Sequence, residues 1–186
     1  MSKNPTDRSG PKAARRRWYA GSGIAVAAVV LAVVALVARG GNDDGDVAAG
    51  GGDGLTASFE MIDGNAGSFV QYRGTPLVVN FFASWCVPCL AEMPGFERVH
   101  QGLAGEVAFL GINLQDRPED GVAVVEQTGV TYDIARDPDG SLFQTFGAFA
   151  MPTTVFIDAD GNVVDLHSGE ISATSLRDRI TDVLLG

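Results

Sequence analysis

The run "PLVVNFFASWCVPCLAEMP" (Pro76 to Pro94) constrains this chain more than any other stretch. Its first half, through Phe82, is apolar but for Asn80 and rich in Val and Phe, which fits a strand buried on both faces. Its second half carries Cys86 and Cys89, the only cysteines in 186 residues, where a helix should begin. A structural disulfide stabilises by closing a long loop, and this pair closes almost none. The two thiols therefore read as chemistry, or as half of a metal site.

A zinc site would need two more ligands, yet His100 and His167 are the only imidazoles and there is no second C-x-x-C. A c-type haem attachment fails because Leu90, not His, follows Cys89. A one-cysteine peroxidase would need no partner at this spacing. We expect no metal and no cofactor. At the start of a helix the first thiol meets unpaired backbone N–H groups and the positive end of the macrodipole. That lowers its pKa and makes Cys86 the nucleophile. Cys89, one turn on, can resolve a mixed disulfide. Pro88 suits the first turn, where its missing N–H is harmless.

The rest of the folded region, 55–186, alternates strand and helix signals. "SFEMID" and "SFVQYRG" read as two short strands joined across "GNAG". A helix is predicted from Cys86 to about Gln101, with Leu90, Met93, Phe96 and His100 at helical spacing and a kink at Pro94. "VAFLGIN" is a second buried strand, and "PEDGVAVVEQTG" a helix opened by Pro118 and closed by Gly129. "DGSLFQTFG" is a shorter helix. "TTVFID" and "VVDLHSG" form a hairpin over "ADGN". "SATSLRDRITDVLL" closes the chain as an amphipathic helix capped by Ser172. This order implies an α/β layer fold with an antiparallel edge.

Charge divides the chain. Residues 1–39 hold seven Lys or Arg and one acid, a balance of +6, whereas 40–186 hold six Arg and twenty-two acids, a balance of −16. So acidic a domain is unsuited to nucleic acid, whose phosphates need a basic face. The basic N-terminus (1–17) ends in Arg15–Arg17 and leads into 21 uncharged residues, Trp18 to Ala38. That length suits a single transmembrane anchor helix. The flanking charges put the N-terminus in the cytoplasm and the rest outside, with Trp18 and Tyr19 at the inner interface. A cleaved signal is the competing reading, although Leu36 stands where a cleavage site wants a small residue. Either reading puts the domain in a compartment where disulfides persist. The Gly/Asp-rich 39–54 reads as a flexible tether with a reach on the order of 20 Å.

"NFFASWCVPCLAEMP", together with "FLGINLQD", "FGAFAMPTTVFID" and "DGNVVDLHSGEI", resembles the thioredoxin superfamily. The match is to its membrane-anchored TlpA/ResA/CcmG-like thiol-disulfide oxidoreductases, and these segments cover nearly all of 55–186. The resemblance implies a thioredoxin-like fold, a central mixed sheet flanked by helices. The 66-residue separation of Cys86 from Pro152 implies an inserted βα unit, mapped to about Leu114–Ala135. It further implies a redox disulfide Cys86–Cys89, a cis Met151–Pro152 bond with the Met151 backbone free to pair with substrate, and Trp85 shielding the dithiol. Where thioredoxins bury an Asp, this chain has Asn80, which cannot take a proton. Glu92 matches the acid of the ResA-like motif and is expected to manage the Cys89 proton. Implied partners are disulfide-containing exported proteins, such as apocytochrome c, and a membrane thiol-electron carrier as reductant. An oxidase of secreted proteins and a non-catalytic thioredoxin-fold binding domain are the alternative readings.

Overall fold

The computed structural model describes residues 54–186. The basic N-terminus, the apolar run Trp18–Ala38 and the tether up to residue 53, with the membrane anchor read from them, lie outside the described residues. Among the described residues no helix is long and apolar enough to cross a membrane.

Seven strands form one mixed sheet in the order β2-β1-β5-β4-β3-β6-β7. They are β1 (Ser58–Met61), β2 (Ala66–Ser68), β3 (Leu77–Phe82), β4 (Ala108–Leu114), β5 (Asp133–Asp137), β6 (Thr153–Ile157) and β7 (Val163–Ser168). Strands β3, β4 and β5 run parallel, and the remaining pairings are antiparallel. Each parallel step requires a crossover. Helix α1 (Val87–Gly102) supplies the first and α2 (Pro118–Thr128) the second. Helices α3 (Ser141–Thr145) and α4 (Ala173–Ile180) complete the set.

The central strand shows how sequence parity positions the site. All six residues of β3 are buried, and alternate side chains enter different cores. Leu77, Val79 and Phe81 pack with Leu110, Ile112 and Val155 on one face. Val78 and Phe82 pack with Met93, Phe96, Leu176 and Ile180 on the other. Asn80 shares the parity of Val78 and Phe82, so it faces α1. By the same rule Asn113 on β4 falls on the face of Phe109 and not of Ile112.

The segment expected to hold an inserted unit, about Leu114–Ala135, carries α2 and the first residues of β5, which runs on to Asp137. Gly129 ends α2 with φ of 70°, a left-handed residue that releases the chain towards β5. Strand β5 has little apolar periodicity because Asp137 is buried for another purpose. Its carboxylate accepts from the Leu142 and Phe143 N–H groups (3.2 and 2.9 Å) and so caps α3. Pro94 stands inside α1, which continues past it to Gly102.

Two readings are corrected. "SFVQYRG" is not a strand: β2 ends at Ser68, and Phe69–Tyr72 is a 3-10 turn. Ser68 accepts from the Val70 N–H (3.3 Å) while Gln71 accepts from the Ser68 N–H (3.3 Å), a capping box that outcompetes extension. The final helix is not uniform either. It starts on Ser172, which accepts from the Ser175 N–H (3.1 Å), but after Ile180 it relaxes into a π-helical turn, Thr181–Leu185.

Candidate active site

Strand β3 ends at Phe82, and a turn closed by the Cys86 N–H on the Ala83 carbonyl (3.1 Å) feeds α1. Cys86 is the N-cap residue of that helix, with extended φ and ψ of −97° and 92°, and Pro88 lies in the first turn. Cys86 and Cys89 form a disulfide with Cα atoms 5.3 Å apart. Cys86 is 5% exposed and Cys89 0%, so of the pair only Cys86 reaches solvent. Trp85, Val87 and Phe149 leave large apolar surfaces open (58%, 77% and 81% exposed). Trp85 and Val87 bracket Cys86. Phe149 lies on the loop leading to Met151–Pro152, the one cis peptide bond among the described residues. Met151 packs against the apolar cluster that contains both cysteines, and Pro152 is buried.

Glu92 lies one helical turn beyond Cys89, on the same buried face. Its carboxylate accepts from the Asn80 amide at Oε1 (2.9 Å) and from the Ile171 N–H at Oε2 (2.9 Å). Burial pushes its pKa up to about 7; the two donors hold it down in part, and the Glu170 charge adds to the rise. A carboxyl poised there can accept or return a proton near neutral pH, which an ordinary surface glutamate cannot do. Asn80 thus does not fill the role of a buried acid. It orients one on the neighbouring helix.

His100 packs edge-on against Phe109 and Tyr132 in the last turn of α1, and His167 lies against Arg179 on β7.

Sequence reasoning missed three contributors. Ile171 acts through its backbone, which no side-chain motif encodes. Phe149 stands in the loop segment "GAFAM", with no strand or helix period to mark it. Asp116, four residues before α2's Asp120, accepts from the Ser84 backbone N–H (2.7 Å) and hydroxyl (2.8 Å), a pairing across 32 residues that no spacing along the chain encodes, although both residues lie in segments that carry the family resemblance. With reduced protein, alkylation should mark Cys86 at least about tenfold faster than Cys89, since only Cys86 combines solvent access with a helix N-terminus. Peptide mapping after iodoacetamide checks this; faster labelling of Cys89 would reverse the two roles.

Fold and site together define a thioredoxin-fold protein with a dithiol-disulfide pair at a helix N-terminus. The chain belongs to the Redoxin family, whose model matches residues 54–184. It is 32% identical over 118 residues to the thiol:disulfide interchange protein DsbE of Xylella fastidiosa, covering 63% of this chain and 59% of that protein. It thus spans less than two thirds of that relative's length. It is 27% identical over 169 residues to the thiol-disulfide oxidoreductase ResA of Oceanobacillus iheyensis, covering 86% of this chain and 84% of that one. Among solved structures, DsbF of Mycobacterium tuberculosis, in its mixed oxidized and reduced forms, superposes with a TM-score of 0.65. That pair is 31% identical, over 69% of this chain and 96% of the other.

Proposed function

We propose that this chain is a membrane-tethered thiol-disulfide oxidoreductase that works outside the cytoplasm and reduces disulfides in particular exported proteins. The observation that carries the reading is the Cys86–Cys89 pair at the N-terminus of α1, with buried Glu92 one turn beneath it. In the reduced enzyme the Cys86 thiolate attacks one sulfur of a target disulfide. A mixed disulfide forms and the second target sulfur leaves as a thiolate. Cys89 passes its proton to Glu92 and attacks Cys86 Sγ, expelling the first target sulfur and leaving the Cys86–Cys89 disulfide. Two electrons have then moved to the target, and a membrane thiol carrier must return them.

The exposed Trp85, Val87 and Phe149 supply apolar contact for a segment lying across the disulfide, with the Met151 backbone as its hydrogen-bonding edge. The tri-Arg flank and apolar run before the domain support the tether and the extracytoplasmic side. Relatives named DsbE and ResA support the class of reaction. Apocytochrome c cysteines are the substrate that the family resemblance implies.

The direction of electron flow follows from charge. A strong oxidant needs its nucleophile's thiolate heavily stabilised. Here an acid lies beneath the pair, and residues 40–186 carry −16. These charges oppose a thiolate, so the disulfide should be comparatively stable. A reduction potential nearer about −270 mV than about −120 mV is expected. Equilibration of the purified protein with dithiothreitol and glutathione buffers measures it. A value at the oxidising end would make the protein an oxidase of secreted proteins instead, and failure to turn over insulin disulfides would favour a binding domain.

A further inference from the structure

We propose that Asp116 is a positioning residue for the dithiol: its carboxylate holds, from the β4 side, the turn that presents Trp85 and Cys86. The proposal rests on the disulfide-exchange reading above and adds a residue to its machinery.

The turn after β3 leaves the Ser84 N–H outside any strand or helix, and a buried or half-buried donor of that kind needs a partner. Asp116 provides it. Oδ2 accepts from the Ser84 N–H (2.7 Å) and from the Asn113 side-chain amide (2.7 Å), while Oδ1 accepts from the Ser84 hydroxyl (2.8 Å). Three donors on one carboxylate fix its position and that of the turn.

The surrounding chain is arranged to bring Asp116 there. Gln115 has φ of 53°, the one non-glycine residue with positive φ among those described. That conformation costs on the order of 1 kcal/mol or more, so neighbouring structure must impose it. The Gln115 N–H donates to the Asp137 carbonyl (2.9 Å), which pins the reversal at the end of β4. Asn113, 1% exposed, needs room beside α2, and residue 121 is glycine: a Cβ there would come within 2.4 Å of Asn113 Oδ1. A strained residue, a buried amide and a missing side chain all serve one carboxylate, whose other contact is two residues from the nucleophile. Held at Ser84, the turn keeps Cys86 at the N-terminus of α1, where free N–H groups favour its thiolate.

Asp116→Ala removes all three acceptor contacts. Asp116→Asn can keep them: its oxygen takes the Ser84 N–H and Asn113, and its amide donates to the Ser84 hydroxyl, which reverses role. With the full-length chain, Asp116→Ala should slow exchange with a peptide disulfide roughly tenfold or more, because small misplacements of a reacting group are costly. Asp116→Asn should return to within about threefold of the parent, the scale of one altered hydrogen bond. Iodoacetamide labelling of Cys86 in the reduced proteins should follow the same order. A folded Asp116→Ala with the parent's rates overturns the proposal. Equal changes in the Ala and Asn variants also overturn it, since charge and not the hold would then be acting. Should Asp116→Ala fail to fold, Ser84→Ala is read in its place, with slowing of about threefold expected; unchanged rates there overturn the proposal. If the parent itself exchanges with no disulfide, the functional reading fails, while the labelling order still tests the role of Asp116.

Discussion

Replacing Cys86 by serine should abolish disulfide exchange. The expected loss is on the order of 10⁴-fold or more, the scale on which deletion of a nucleophile acts in well-studied enzymes. The reason is chemical: only a thiolate attacks a disulfide sulfur, and serine at the N-terminus of α1 remains a neutral hydroxyl. Cys89→Ser should behave differently. It keeps the attacking sulfur but lacks the group that resolves the mixed disulfide, so targets should accumulate covalently on Cys86. Single-turnover exchange with a peptide disulfide measures the first effect. Non-reducing gels and mass spectrometry of proteins trapped in cells measure the second and name the substrates. If Cys86→Ser exchanged at the parent's rate while Cys89→Ser did not, nucleophile and resolving thiol would be interchanged.

Glu92→Gln should have two separate consequences, one on rate and one on the pH dependence of stability. A carboxyl acting as acid or base contributes about 10²-fold or more to a proton-transfer step. Resolution of a preformed mixed disulfide at pH 7 should slow by roughly that factor. The stability effect has a definite sign. Folding raises the Glu92 pKa from 4.5 to about 7, with burial as the main cause. Between those values the native state holds a proton that the unfolded chain has released. Stability therefore falls as pH rises across that window, by about 3 kcal/mol, and levels off above it. Glutamine lacks this proton; its oxygen can still accept from the Ile171 N–H, and its NH2 can donate to Asn80 Oδ1 once the Asn80 amide turns over. Urea unfolding of the oxidised proteins at pH 4, 5, 6, 7 and 8 should show Glu92→Gln gaining on the parent as pH increases. A constant difference over that range would mean that Glu92 titrates as an ordinary carboxylate, and an unchanged resolving rate would make it a bystander.

Much of this was legible along the chain because it depends on neighbours in sequence. The Val- and Phe-rich run announces β3, Pro118 and Gly129 delimit α2, and Ser172 caps α4. The readings that failed are local competitions with close energies. Ser68 and Gln71 choose a capped turn over a strand, and the last turn after Ile180 takes π geometry. Strand β5 was visible only as part of an inserted unit, since its buried Asp137 serves α3 and breaks the apolar pattern.

The site divides along the same line. Residue spacing alone determined that Cys86 and Cys89 share the first turn of a helix, and that Glu92 follows one turn behind Cys89, because an α-helix repeats every 3.6 residues wherever it is placed. Spacing could not decide what each acid of α1 does. Glu92 and Glu97 are both buried. Glu97 is met by Gln101 on its own helix (2.7 Å) and by the Thr131 N–H (2.8 Å) and hydroxyl (2.6 Å), and the Thr131 pair ties α1 to the segment before β5. Glu92 meets only Asn80, from a strand 12 residues away, and the Ile171 N–H, 79 residues away. Those partners arrive through sheet pairing and helix docking, as Asp116 reaches Ser84 across 32 residues. A carboxyl's pKa depends on which donors and how much water surround it, and that environment exists only once the chain has folded.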